Sequence, residues 1–257
     1  MKKLSLILFI VFASPLLILL VYSFSFNWEY PNILPESFTT RGLLAAFSKD
    51  SIILTLKSIL IGLFTTIFTL LICIPAAKSL TYKNLKGKQF FMLLFTSPLI
   101  LPLTSITMGI HLLFIKLHLN NTVLGVILIN SIPCIPYAIR LILDVLLLVG
   151  DDYEVVAKNL GASPFNAFFK VTFPIITPGI ISCFTFVYII AFNQYFTTFL
   201  IGGGKIVTLP IIMIPYIQNG DRVLSSAYSL LYILSSFIIL LLLEKVLEKY
   251  YKTKLQN

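Results

Sequence analysis

The sequence predicts an all-α, polytopic membrane protein with six transmembrane helices and both termini cytoplasmic. Of its 257 residues, 58% are hydrophobic and 11% charged, against roughly a quarter charged in soluble domains, and the mean hydropathy is +0.98. Six stretches reach the about 20 apolar residues that a helix needs to cross the hydrocarbon: Leu4–Tyr22, Ile52–Leu71, Phe90–Phe114, Thr122–Val149, Ile175–Leu200 and Val223–Leu243. With the amino terminus inside, thirteen Lys and Arg residues fall on the inner side and six on the outer, the bias by which basic loops stay cytoplasmic. Backbone groups in lipid must be satisfied within their own segment, so the six stretches should be helices. No linker or low-complexity tract interrupts them. Residues 1–257 therefore read as one domain with a core of about 50–243.

Each span has its own grounds. Met-Lys-Lys before an apolar run also fits a secretory leader, but the run is long for one and the nearest cleavage-like site, Ser23-Phe24-Ser25, is poor; it is read as the first span. An outer loop, Ser23–Ser51, leads to the second span, which carries Lys57 one to two turns inside. A lysine at the bilayer centre costs about 2.5–3.5 kcal/mol, so Lys57 either snorkels to the interface or lines an outer vestibule. After the inner loop Thr81–Gln89, the third span reads TSPLILPLTSITMG with Pro98 and Pro102. Beyond a short outer link, Lys116–Asn121, the fourth reads NSIPCIPYAIR with Pro133 and Pro136. Proline removes a helical hydrogen bond and clashes with the preceding turn. The two pairs are either ordinary kinks or irregular backbone beside a polar path, and the path is the reading adopted for Pro98 and Pro102. In the outer half of the fifth span, Asn193, Gln194, Thr197 and Thr198 form a polar cluster. Interhelical hydrogen bonding is one account of them; lining the path is preferred for Asn193, Gln194 and Thr197. The outer loop Ile201–Arg222 precedes the sixth span.

Several function classes drop out. The net charge of +9 is topological, so nucleic acid is not expected as a partner and membrane lipid is. IGGGKIVTLP from Ile201 lacks a phosphate loop's first glycine, where Phe199 stands, and its hydroxyl, where Ile206 stands. The chain itself should bind no nucleotide. His111 and His118 lie in no metal-binding spacing, and no pair of intramembrane carboxylates offers acid–base chemistry, so neither a metal site nor a catalytic one is expected. Cys73, Cys134 and Cys183 fall inside spans, as small apolar core residues do. A channel or secondary transporter would need a coupling-ion site, for which Asp144 is the one acid within the spans.

The segment GDDYEVVAKNLGASPFNAFFKVTFP, from Gly150 to Pro174, differs from all of this. Asp151 and Glu154 stand at capping-box spacing. Val155, Val156, Ala157 and Leu160 give one apolar side. Gly161 stands where a helix ends in a positive φ. Ser163-Pro164 is the N-cap and first position of a new helix, and Phe165, Phe168 and Phe169 share a stripe. Pro174 and Pro178 should reset the backbone before the fifth span. The expectation is a cytoplasmic helix, sharp turn and helix, a handle for a partner.

This segment resembles the signature loop of the permeases of binding-protein-dependent (type I) ABC importers: Glu-Ala-Ala, three residues, Gly, nine residues, Ile, any residue, Leu-Pro. Counting from Gly161, the nine residues are Ala162 to Lys170, followed by Val171, Thr172, Phe173 and Pro174. PLILP and IPYAIR are also similar to that family. The Glu-Ala-Ala positions fall on Val155, Val156 and Ala157, with the carboxylate one residue early, at Glu154. The resemblance implies a non-catalytic subunit of the bacterial cytoplasmic membrane, working with two ATPase subunits that hold ATP and Mg, a second permease subunit and an external solute-binding protein. Matched by position, Ala157, Gly161, Ala162 and Ser163 would form the turn that docks on the ATPase, within a coupling loop that also holds Glu154 and ends at Pro174. FNQYFTTFLIGGGKIVTLP, from Phe192, is similar to the spermidine/putrescine branch, whose relatives also move thiamine, ferric iron, phosphonates and sulfate. A polyamine is the favoured solute, although Asn193 and Gln194 stand where those permeases often carry an acid.

Overall fold

Proline and glycine decide where these apolar helices bend, stop or touch. The structure, a computed structural model, describes residues 2–26, 28, 32–81 and 85–255; Lys83 of the predicted loop Thr81–Gln89 lies outside them. Helix α1 covers Lys2–Phe24. A short antiparallel pair follows, β1 (Ser25–Phe26) with β2 (Ser37–Phe38), in which Ser25 faces Phe38 and Phe26 faces Ser37. Then come α2 (Arg41–Ala46), α3 (Lys49–Thr81), α4 (Lys88–Ile100), α5 (Leu103–Lys116), α6 (Val123–Ser131), a 3₁₀ turn at Ile132–Cys134 and α7 (Ile135–Val149). The second half has α8 (Asp152–Asn159), α9 (Pro164–Ala167), a π turn at Phe168–Thr172, α10 (Phe173–Phe192), α11 (Phe196–Gly202), α12 (Leu209–Gln218) and α13 (Arg222–Leu255).

Among the described residues, four helices are long and apolar enough to cross a membrane: Lys49–Thr81, Val123–Val149, Pro164–Phe192 and Arg222–Val246. The third predicted span is a pair, α4 and α5, bent by 105°. Pro102 has no N–H, and Leu101 before it is extended at φ −85°, ψ 140°, as the residue preceding a proline prefers. Pro98 lies inside α4 and does not end it. The fourth span behaves differently. Pro133 and Pro136 give only the short 3₁₀ turn, and the helix runs on through it. There the Cys134 thiol donates to the Asn130 carbonyl at 3.3 Å.

Three expectations change at the fifth span. Pro174 and Pro178 do not reset the chain, because the helix is continuous from Pro164. The π turn absorbs the amide that Pro174 lacks, as such turns do. At its far end α10 stops at Phe192, and Asn193 and Gln194 occupy a break before α11 rather than the span itself. The predicted outer loop Ile201–Arg222 contains α12, whose ten residues begin at Leu209-Pro210, the proline sitting in the first turn where helices tolerate it.

The chain divides into two compact units, Met1–Ile59 with Val207–Ile238, and Leu60–Ile206 with Ile239–Asn257. In the first, Ala46, Leu209, Leu224, Ala227, Tyr228 and Leu231 form the core. Its polar contacts include the Tyr228 and Ser51 hydroxyls at 3.0 Å and the Leu209 amide donating to Ser58 Oγ at 2.8 Å. In the second, α3, α7 and α10 share a core that includes Cys73, Ala77, Ile142, Leu146, Ile176 and Cys183. All three cysteines are free and buried. Gly179 lets α10 approach α7, since a Cβ there would come within 2.5 Å of a Val145 methyl.

Candidate functional site

The helical turn from Asp152 to Thr172 is built by residues whose roles can be followed one at a time. Helix α8 ends with Leu160, and Gly161 takes φ +91°. The Gly161 amide then donates to the Lys158 carbonyl at 2.9 Å and the Ala162 amide to the Ala157 carbonyl at 3.0 Å. This pair of bonds is the Schellman arrangement, which caps the last carbonyls of a helix. Ser163 is extended, and its hydroxyl accepts from the Asn166 amide at 3.3 Å, opening α9 as its N-cap. Pro164 follows in the first turn. The aromatic stripe closes on itself, with the Phe165 and Phe169 rings 4.4 Å apart and those of Phe168 and Phe169 5.1 Å apart.

The acidic pair at the start of α8 does something other than cap it. Asp151 and Glu154 form no capping box, and the Asp151 side chain makes no cap bond. Both carboxylates turn instead to Lys78 of α3, whose Nζ is 2.7 Å from Glu154 and 3.1 Å from Asp151. Lys78 thus offers both carboxylates a charge-assisted hydrogen bond. Glu154 is 5% exposed. It also pairs with Lys158 at 2.8 Å and accepts from the Thr172 hydroxyl at 3.1 Å. Burial pushes its carboxyl up, but the bonds from Lys158, Lys78 and Thr172 and the Lys78 charge outweigh that and hold it below the usual carboxylate range.

One carboxylate thus ties α8 to α3 and to the π turn. The family-like glutamate position, Val155, is half-exposed. One residue turns about 100° on a helix, so moving the carboxylate back by one takes it from the outer face of α8 to the inner. The outer face is apolar. Tyr153, Val155, Val156 and Leu160 are exposed, Leu160 at 84%, and a cavity of about 510 Å³ is lined by Tyr153, Val156, Ala157, Leu160 and Val171, with Asp152 as the one charged residue. Gly161 and Ser163 are also exposed, while Ala157, Ala162 and Pro174 are half-buried.

The expected path residues are less uniform. Thr197 and Thr198 are fully buried. The Thr197 hydroxyl donates to Asn130 Oδ1 at 2.6 Å, and Asn130 Nδ2 donates to the Thr198 hydroxyl at 2.8 Å. This is helix–helix fastening between α6 and α11. Asn130 carries it, and sequence reasoning passed over that residue; its signal was a lone amide in an apolar run. Gln194 is partly drawn in, its Oε1 3.3 Å from the Thr197 hydroxyl and its Nε2 donating to the Ile190 carbonyl at 3.2 Å. Asn193 and Pro102 are exposed and Pro98 is half-buried. Lys57 is exposed, and Asp144 pairs loosely with Arg140 at 3.8 Å. Among the described residues no cluster of three or more His, Cys, Asp or Glu could hold a metal ion.

Residues 39–250 match the family described as binding-protein-dependent transport system inner membrane component. The chain belongs to that family. It is an ABC importer permease of the type I group and a multi-pass protein of the bacterial inner membrane. A permease protein provisionally assigned to 2-aminoethylphosphonate transport, PhnV of Salmonella paratyphi A, is 26% identical over 95% of this chain and 92% of its own. The putrescine transport system permease protein PotI of Escherichia coli K12 is 24% identical over 80% of this chain and 76% of its own. Among solved structures, a bacterial ABC transporter for the import of alginate matches with a TM-score of 0.68 and 16% identity, over 97% of this chain and 94% of that one. The MetNI methionine ABC transporter matches at 0.62 and 16%, over 79% and 99%. At such identities the permease shares their fold.

Proposed function

We propose that this permease is the non-catalytic transmembrane subunit of an ATP-driven importer, and that the turn from Asp152 to Thr172 is where its motor engages. The observation that carries the reading is the exposed apolar face of α8 beside a rigidly capped Gly161–Ser163 turn, with Glu154 fastening the element to α3. Two ATPase subunits, holding ATP and Mg, dock on the turns of this chain and of a second permease subunit, and a binding protein delivers solute from outside. All 257 residues form a single transmembrane domain with six spans and both termini inside. Closure of the ATPases moves the turn and biases the helices between inward- and outward-open states. Residues Asn193, Gln194 and Thr197, with Pro98 and the break at Pro102, border the solute path, Thr197 from behind by holding Gln194. A stand-alone channel or secondary transporter is the weaker reading, since within the six sequence-predicted spans Asp144 is the one acid that could serve a coupling ion.

For the solute, a polyamine was the expectation, and relatives named for putrescine and for 2-aminoethylphosphonate both support something close to it. Those two molecules share a primary ammonium on a short alkyl chain. We infer a small hydrophilic amine, with other branch solutes such as thiamine, ferric iron or sulfate as alternatives. Two experiments test the whole reading. Co-purification should recover an ATPase, and the isolated chain should hydrolyse no ATP; robust turnover by the isolated chain would overturn the subunit assignment. Cells with the assembled transporter should take up labelled putrescine or 2-aminoethylphosphonate, and uptake of neither by a transporter active on another solute removes the amine proposal alone.

A further inference from the structure

Between α4 and α7, apart from the turn, lies a cavity of about 770 Å³ lined by Lys88, Gln89, Met92, Leu93, Thr96 and Arg140. Two cations converge on it. Among the described residues Lys88 takes part in no salt bridge. The one carboxylate paired with Arg140, Asp144, is 3.8 Å away with both side chains largely exposed, a weak pair in such a setting. The Thr96 hydroxyl is occupied, donating to the Met92 carbonyl at 2.7 Å. Polar contacts to a ligand would therefore come from Lys88, Arg140 and the Gln89 amide.

The rest of the lining is apolar. Helix α4 buries none of its residues, and Leu93 in the lining is exposed. Thr96 lies about 12 Å along the helix from Lys88, so the cavity runs from the helix end, where a headgroup would lie, to the depth of the first acyl carbons. Two cations and an apolar wall of Met92 and Leu93 within one cavity suit an amphiphile with an anionic head. Basic pockets between membrane helices on the cytoplasmic side take such headgroups. We propose that this cavity binds the phosphate of an anionic phospholipid of the inner leaflet, with Lys88 and Arg140 on the phosphate and an acyl chain along Met92 and Leu93. The choice of leaflet rests on the orientation proposed above; the chemistry of the cavity does not. A free phosphate or phosphonate would satisfy the same cations but leave the apolar wall unused.

The test is lipid retention by the purified full chain, read by native mass spectrometry after equilibration with phosphatidylglycerol or phosphatidylcholine. It needs neither transport nor ATPase, so it stands or falls apart from the importer reading. Each basic side chain near an anionic surface is worth about fivefold in affinity. Phosphatidylglycerol should be retained over phosphatidylcholine, and Lys88→Gln with Arg140→Gln should weaken its retention about thirtyfold. Lys116→Gln with Lys205→Gln, which removes equal charge elsewhere, should leave it unchanged. If the double variant fails to fold, Lys88→Gln alone should show about a fivefold loss. Equal retention of both lipids, or unchanged phosphatidylglycerol retention in the Lys88 variants, overturns the proposal. So does displacement by inorganic phosphate or 2-aminoethylphosphonate at matched concentration, which would assign the cations to a soluble anion.

Discussion

Glu154 of α8 and Lys78 of α3 meet at 2.7 Å, and through that contact the polar turn is held to the membrane core of its own unit. The carboxylate is buried and bonded on both oxygens, to Lys78 and Thr172 on one and to Lys158 on the other. Removing one member of a buried, bonded pair costs about 3–5 kcal/mol. Asp151 remains beside Lys78 to soften the loss, so Glu154→Gln should cost about 3 kcal/mol. Thermal unfolding of the purified permease should show a clearly lower midpoint, and uptake should fall with it. An unchanged midpoint would mean the contact holds nothing.

The same carboxyl sets an acid limit. Its folded pKa lies below the usual value, which is about 4.3 for a free glutamate. The stabilisation is therefore fully present above about pH 4.3 and is lost as pH falls through the lower, folded value. The difference in midpoint between wild type and Glu154→Gln should be flat near neutrality and shrink in acid. A gap that widens on acidification would contradict the assignment.

Gly161 has φ +91° with no atom within 4 Å of where a Cβ would lie. A substitution there is therefore strained without being crowded, at about 1–2 kcal/mol for a bulky L-residue. Gly161→Val should insert normally yet lose uptake and ATPase association. Gly161→Asn, which tolerates left-handed backbone better, should keep much of both. Normal uptake by the valine variant would remove the turn from the mechanism.

Orientation can be read with single cysteines, because the three native ones are buried and should give little background. Asn166 and Asn219 are both exposed. In whole cells an impermeant thiol reagent should label Asn219→Cys and spare Asn166→Cys. The reverse pattern would invert the topology.

Asn130 separates fastening from path. Asn130→Leu strands the Thr198 hydroxyl and leaves that of Thr197 with the longer contact to Gln194, and should cost about 1–2 kcal/mol in stability, the upper range for interhelical bonds in membranes. Asn193→Leu, at an exposed position, should lower uptake. If uptake is unaffected, Asn193 does not border the path.

What could be read from the sequence was local. Gly161 and Ser163-Pro164 specify their backbone by their own chemistry, so a turn between two helices followed from the residues alone. Apolar length likewise located the helices Lys49–Thr81, Val123–Val149, Pro164–Phe192 and Arg222–Val246. What could not be read depends on distant partners. Whether Glu154 caps its helix or reaches Lys78 is decided by where α3 passes, and no spacing within GDDYEVV encodes that. Pro102 and Pro174 look alike as isolated prolines. One gives a 105° bend and the other is absorbed by a π turn. Asn130 was visible as a lone amide in an apolar run, but its pairing could not be read because its partners Thr197 and Thr198 lie far along the chain.

The π turn at Phe168–Thr172 has a mechanical consequence. Because it carries the helix past Pro174 without a joint, Pro164–Phe192 is one rod of 29 residues, about 43 Å long. A rod stores little of what is done to it. A nudge at Phe165 that tilts it by about 10° swings the Phe192 end sideways by about 7 Å at that length. The Asn193–Gln194 break sits at that far end, where the motion proposed for the importer would be widest.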